Sequence, residues 1–329
     1  MASPRGRGLS FARRRQAALP GERGAALLNH AAELNARFGI AGTLTFNNGP
    51  AGLVMVQMSN RAAEAELLLQ GAQVLRWAPR GEGAVLWQSG SARFSKGKPV
   101  RGGVPLCWPW FGSHPQRPDF PAHGFARNCS WAVVGCEASS DAQTRLTLRL
   151  APDPATQRWW PHRTALEFRI TIGAALELEL VTFNTDRVAV TISEALHAYF
   201  RVGAISRARV LGLEDAEYLD QIEGRRRLTQ SGPISVGAEL DRIYVNSPGP
   251  CLIMDPVLER RILIEKRGGA STVVWNPWIE KAARLGDMDP QGYREMLCVE
   301  SGNIADNTVE IRPGDEHRLY AAYRVERDS

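Results

Sequence analysis

LEFRITIGAALELEL (166–180) places Leu166, Phe168, Ile170 and Ile172 on one parity and Glu167, Arg169 and Thr171 on the other, then repeats the alternation with Leu176, Leu178 and Leu180 against Glu177 and Glu179. A period of two with one polar face is the pattern of an antiparallel strand buried on one side. Upstream, Leu146, Leu148 and Leu150 alternate with Thr147 and Arg149, and downstream Val188, Val190 and Ile192 continue the pattern. Comparable runs lie at 53–58, 64–69, 251–254, 260–265, 271–275, 295–299 and 317–324, separated by Gly, Pro, Asn and Asp. No long helical pattern interleaves them after residue 40. The expected fold is all-β, one domain over 39–329 built from two large stacked antiparallel sheets.

The chain has 329 residues, 44% hydrophobic and 23% charged, an ordinary balance for a globular protein. No run approaches the ~18 apolar residues that cross a bilayer, so a membrane helix is not expected. Five cysteines (Cys107, Cys129, Cys136, Cys251, Cys298) are odd in number and form no C-x-x-C pair. Neither a disulfide framework nor a zinc motif is indicated, and a reducing compartment is the simpler reading. The net charge of +5 sits in the first 40 residues, where seven Arg face only Glu22 and Glu33; the remainder holds 33 residues of each sign. The domain therefore lacks the electrostatic footprint of a nucleic-acid binder. Basic residues divide into 36 Arg and four Lys, a skew that discounts Arg richness as a signal.

Residues 1–38 read as an N-terminal extension. Residues 1–21 have no acid and are expected to be disordered; Leu27, Ala31, Leu34 and Phe38 fit a short amphipathic helix within 22–38. A basic, acid-poor tail is compatible with an organellar transit peptide, but a non-functional extension and a cytoplasmic location are the preferred expectation.

One segment breaks the alternation. RGGVPLCWPWFGSHPQRPDFPAHGFARNCSW (101–131) sets five glycines and prolines among its first twelve residues, with Trp108, Trp110 and Phe111 as walls. A long rigid loop of this kind either shapes a site or plugs the end of the sandwich. It carries Arg101, His114, Arg117, His123 and Arg127. Two further residues stand out. His197 lies in SEALHAYFRV (193–202), where Leu196, Ala198 and Phe200 share one face and His197 and Tyr199 the other. Glu300 is read as the end of the apolar strand MLCVE (296–300), before Ser301-Gly302-Asn303. Taken singly, a strand histidine is more often structural and a carboxylate at a strand end is usually solvated.

Together, RGGVPLCWPWFG (101–112), HGFARNCSW (123–131), EALHAYF (194–200), LDRIY (240–244), VVWNPWIEKA (273–282) and CVESGN (298–303) resemble, in order, the glucose-6-phosphate 1-epimerase family of hexose-6-phosphate mutarotases, in the galactose-mutarotase-like superfamily. The resemblance spans most of residues 40–329. It implies a β-supersandwich and cofactor-free, metal-free interconversion of the α and β anomers of a hexose 6-phosphate; a monomer is the expectation. By resemblance, Glu300 is the base on the C1 hydroxyl and His197 the acid on the ring oxygen, reversing on closure. Arg101 and Arg127 match the family's motif arginines and are expected to hold the phosphate, since Arg meets phosphate oxygens bidentately. Asp241 is expected to hold a sugar hydroxyl and help orient His197, and His123 to donate to the sugar. Arg76 is read as a surface ion pair. Trp108, Trp110 and Trp278 could stack on a sugar or fill the core, and Arg117 and His114 stay unassigned.

Three other functions fit parts of the pattern. An aldose 1-epimerase on free sugars would have no reason to hold two unpaired guanidiniums. A non-catalytic sugar-phosphate sensor would not need both His197 and Glu300. A glycoside hydrolase or lyase on such a sandwich would more often pair two carboxylates.

Overall fold

The computed structural model describes residues 31–327. The expected disordered segment 1–21 and Leu27 of the expected helix lie outside the described residues. Two large antiparallel sheets face each other. One has nine strands, in the order Ile234–Ser235, Arg209–Leu211, Cys251–Asp255, Arg260–Arg267, Glu316–Glu326, Ala175–Asn184, Thr164–Ile172, Gln143–Leu150 and Ala132–Ser140. The other has eight. Arg226–Thr229, Glu217–Asp220, Leu240–Tyr244, Ser271–Asn276, Met296–Asn303, Glu194–Leu196 and Leu106–Cys107 run in that order, and Tyr199–Arg201 also pairs with Met296–Asn303. A four-stranded sheet from Leu44 to Pro79 and a two-stranded ribbon (Val190–Ile192 with Val309–Ile311) complete the framework. This is the two-sheet β-sandwich the alternation implies.

The alternation sorts side chains between two cores. Leu166, Phe168, Ile170, Leu176, Leu178 and Leu180 from the nine-stranded sheet meet Leu196, Phe200, Val274, Leu297 and Val299 from the eight-stranded one in the main core. The opposite parity of the eight-stranded sheet forms a second cluster on its far face, with Tyr199, Val273, Trp275, Met296 and Cys298 among its members. A sheet covered on both faces loses its polar parity, so Met296–Asn303 is buried at every position. The strand therefore does not end at Glu300. Ser301, Gly302 and Asn303 continue it, paired with Leu196, Ala195 and Glu194, and Glu300 is an interior residue 1% exposed rather than a solvated strand end.

Residues Ala31–Phe38 form a helix whose Ala31 and Leu34 join the main core. The Asn35 side chain both donates to the Phe46 carbonyl (2.7 Å) and accepts from the Phe46 N–H (2.8 Å), so one side chain fixes the helix to the first strand. We propose that the domain includes this helix, Ala31–Phe38, and does not start at residue 39. Burying Leu34 contributes about 1.5–3 kcal/mol, and the two Asn35 hydrogen bonds about 0.5–1.5 each. A chain starting at residue 39 should melt several degrees below one starting at residue 31 in calorimetry. Coincident melting curves would return the boundary to residue 38.

Candidate active site

The second core is where chemistry-bearing side chains converge, and strand register is what brings them there. Leu196 pairs with Ser301 and Tyr199 with Cys298, and the same register sets His197 opposite Glu300. Glu300 in turn pairs with Val273. One row further along, Asp241, Trp275, Cys298 and Tyr199 stand side by side across four strands. Facing residues of an antiparallel pair project to the same side, so these rows form a floor. The strand carrying His197 is interrupted at 197–198. There the backbone N–H groups of His197 and Tyr199 donate to the carbonyls of Pro105 (3.0 Å) and Gly103 (2.9 Å), joining the floor to the 101–131 loop.

That loop does both things its sequence allowed. Trp108 and Trp110 are core, so its middle plugs the sandwich, and Trp278 is partly buried against Tyr293. Its two ends carry Arg101, His123 and Arg127 to the floor. Two glycines make the close approach possible. Gly103 (φ +63°) and Gly124 (φ +72°) lie in the left-handed region, and a Cβ on either would sit about 2 Å from the carbonyl oxygen of Val74 or Trp108.

His197 Nε2 lies 3.3 Å from Glu300 Oε1. Both side chains are buried, and among the described residues His197 Nδ1 and Glu300 Oε2 have no hydrogen-bond partner. An orphaned buried polar atom costs about 1–3 kcal/mol, so two on one contact mark a place where ligand hydroxyls belong. Burial holds the His197 imidazolium well below its ordinary pKa, helped by the neighbouring His123 and by the charges of Arg127 and Arg101. Burial and the Asp241 charge hold the Glu300 carboxyl well above its own, against the pull of Arg127. Burial thus favours a neutral pair with one proton on the carboxyl.

The surroundings fix the ring of His197. Tyr199 stacks on it at 4.9 Å between centroids, 14° from parallel, and Trp275 meets it edge-on at 6.2 Å. The Tyr199 hydroxyl accepts a hydrogen bond from Arg101 Nη1 (3.1 Å), which links the phosphate candidate to the imidazole through one side chain. Arg101 also ion-pairs with Asp287 at 3.1 Å, so of the two guanidiniums only Arg127 has no carboxylate partner among the described residues. Arg127 Nη2 donates to the Ala122 carbonyl (2.8 Å), and its Nε is buried without a partner. His123 accepts from the Gly112 N–H at Nδ1 (3.3 Å) and contacts His197 at 5.7 Å between rings. Burial and both arginines push its pKa down to about 3, which leaves a neutral ring with its proton on Nε2, a donor. Asp241 is held by Lys281 at 3.6 Å, and burial raises its pKa; the contacts that orient His197 are Glu300 and Tyr199.

The remaining candidates separate cleanly. Arg76 is ion-paired to Glu64 (2.8 Å) on the four-stranded sheet, and Arg117 to Asp119 on the surface. Beyond Asp287 lies a cavity of about 350 Å³ lined by Arg93, Ser95, Lys98, Pro99 and Gly286. A groove of about 320 Å³ on the outer face of the nine-stranded sheet has no comparable pair, and its Arg169 is already held between Glu167 and Glu179.

The sequence pattern of the aldose 1-epimerase family matches residues 54–324. The chain belongs to the aldose 1-epimerase family. This epimerase is 33% identical over 274 residues to an Escherichia coli K12 protein named "Putative glucose-6-phosphate 1-epimerase", covering 83% of this chain and 90% of that one. A Cenchrus ciliaris protein of the same name is 33% identical, over 82% and 84% of the two chains. The crystal structure of a Salmonella typhimurium protein described as a "putative mutarotase" superposes with a TM-score of 0.83 at 32% identity, covering 88% of this chain and 96% of that one. The epimerase is thus an isomerase that binds sugar, built as an antiparallel β-sandwich. Among the described residues no helix is long and apolar enough to cross a membrane.

Glu300→Gln tests the buried carboxyl without touching its shape. Unfolded, Glu300 ionises near ~4.3; folded, it keeps its proton to higher pH. Its contribution to stability is therefore full below ~4.3 and falls as pH rises toward the folded pKa. Glutamine does not titrate. The variant should melt above the parent at pH 7.5, with the gap closing by pH 4; a constant gap would place the carboxylate, charged, in the folded site.

Proposed function

We propose that the epimerase acts on glucose 6-phosphate and related hexose 6-phosphates, with His197 and Glu300 as its acid–base pair and Arg101 and Arg127 as phosphate ligands. The observation that carries this reading is one floor holding both sets: a 3.3 Å His–Glu contact on which the charges of both arginines act. The names of the relatives support the same substrate class.

The chemistry follows from one proton. Sugar hydroxyls reaching the orphan oxygen of Glu300 favour the carboxylate, and the proton crosses the short contact to His197. Glu300 then takes the proton of the C1 hydroxyl as C1=O forms, the C1–O5 bond breaks, and His197 gives its proton to O5. The pair is left neutral, the state burial already favours. Rotation about C1–C2 presents the other face of the aldehyde. On closure His197 removes the O5 proton and Glu300 returns one to the carbonyl oxygen. Each positioned transfer contributes typically ~10²–10⁴-fold. In this reading His123, a neutral donor, and Asp241 hold sugar hydroxyls, and no cofactor enters a step.

Arg101 favours a second reading. Its ion pair with Asp287 partly neutralises one of the two guanidiniums, as a free-sugar epimerase would tolerate. Glucitol 6-phosphate, an open-chain mimic that cannot cyclise, separates the two. It should bind in titration calorimetry well over ~10-fold more tightly than glucitol, given about 1.5–3 kcal/mol per charge-assisted hydrogen bond. Equal affinities would assign the free sugar.

A further inference from the structure

The acid–base pair has a third neighbour that the anomer chemistry does not use. Cys298 lies two residues before Glu300 on the same face of the same strand, and pairs with Tyr199 and Trp275. One ligand atom each from His197, Cys298 and Glu300 falls within 4.8 Å of the other two, and all three residues are buried. Imidazole, thiol and carboxylate are the donor types that hold zinc.

We infer that His197, Cys298 and Glu300 form a site for a borderline-soft divalent cation of the zinc class, which occupies the pair in competition with sugar. Zn–N and Zn–O bonds near 2.0–2.2 Å and Zn–S near 2.3 Å set tetrahedral donors roughly 3.3–3.6 Å apart. The His197–Glu300 contact already has that spacing, and Cys298, within 4.8 Å of both, has to close by at most about 1.2–1.5 Å. The orphan Oε2 of Glu300 gives a second donor on the same carboxylate. Three protein ligands leave a fourth position open, the arrangement of zinc sites that accept an exogenous oxygen. Binding releases two protons to solvent, one from the Cys298 thiol and one from the Glu300 carboxyl, so thiolate and carboxylate together balance the cation's two charges. That balance is needed, because Arg101 and Arg127 repel a cation here, and it disfavours hard ions such as magnesium. Metal binding stands on geometry alone; its effect on turnover rests on the epimerase reading.

Cobalt(II) is the probe, added to the full chain, because a thiolate ligand gives a charge-transfer absorption in the near ultraviolet. The expected result is a saturable band, displaced by zinc, reduced by glucose 6-phosphate, and absent from Cys298→Ser. A Cys129→Ser/Cys136→Ser double variant should keep the band, which excludes the two less buried thiols. His197→Asn and Glu300→Gln should each weaken cobalt by at least about 10-fold, the lower bound seen for gentler outer-shell changes. Zinc should also raise the parent's melting temperature by mass action, a readout that survives if Cys298→Ser fails to fold. No band and no shift in melting would overturn the site, as would a band retained in Cys298→Ser. A band untouched by saturating glucose 6-phosphate, in protein that turns that sugar over, would overturn the competition. Protein that binds cobalt but anomerises no sugar phosphate would refute the substrate reading and leave the metal site standing.

Discussion

Replacing His197 by Asn or Glu300 by Gln will lower kcat for glucose 6-phosphate anomerisation by ~10²-fold or more, the loss expected when one positioned proton transfer is removed. The two losses should not add. Each transfer needs the other group to hold the proton in flight, so a double variant should be little slower than the worse single one. Asn and Gln keep a polar group of similar shape opposite each other, and Gln removes a buried ionisable carboxyl, so folding should be intact. Near-parental kcat in a folded single variant would remove that residue from the chemistry. Additive losses would mean that the two residues act independently of the 3.3 Å contact.

Arg101→Ala and Arg127→Ala should weaken hexose 6-phosphates by roughly 10- to 150-fold, from about 1.5–3 kcal/mol per charge-assisted hydrogen bond. Free hexoses should change far less. The structure gives the two variants different signatures. Arg127 has no carboxylate partner among the described residues, so its removal should raise KM and leave kcat nearly unchanged, as uniform binding requires. Arg101 holds the Tyr199 hydroxyl, and Tyr199 stacks on His197. Its removal should raise KM and also lower kcat, and Tyr199→Phe should reproduce the kcat part alone. Equal losses on glucose and glucose 6-phosphate would reject phosphate recognition by either arginine.

The strands were readable because a half-buried sheet writes its burial into a period of two. LEFRITI and LELEL state which side faces the core, and Thr164–Ile172 and Ala175–Asn184 follow that parity. The same logic misplaced the end of the strand at Glu300. Ser301-Gly302-Asn303 has the composition of a turn, yet it is buried strand because the eight-stranded sheet is covered on both faces there. No local pattern announces such a cover; the cluster on the far face draws Cys107 and Phe111 from the 101–131 loop and Ala282 from the helix Trp278–Arg284, both distant in sequence. The facing of His197 and Glu300 depends on a register between strands about a hundred residues apart, and was suggested by family resemblance, not by either segment alone. Tyr199 shares the His197 face by parity, but its bond to Arg101 spans 98 residues. Asp287, the partner of Arg101, and Lys281, the partner of Asp241, were not singled out. Lys281 did carry a signal in being one of only four lysines.

The most direct test of the central claim is two-dimensional exchange NMR at the anomeric protons, with the purified chain at catalytic concentration, on glucose 6-phosphate and on glucose under the same conditions. The account predicts α–β exchange of glucose 6-phosphate accelerated well above its spontaneous rate, little acceleration for glucose, and loss of the difference in Arg127→Ala. Acceleration of glucose equal to or above that of glucose 6-phosphate would contradict it.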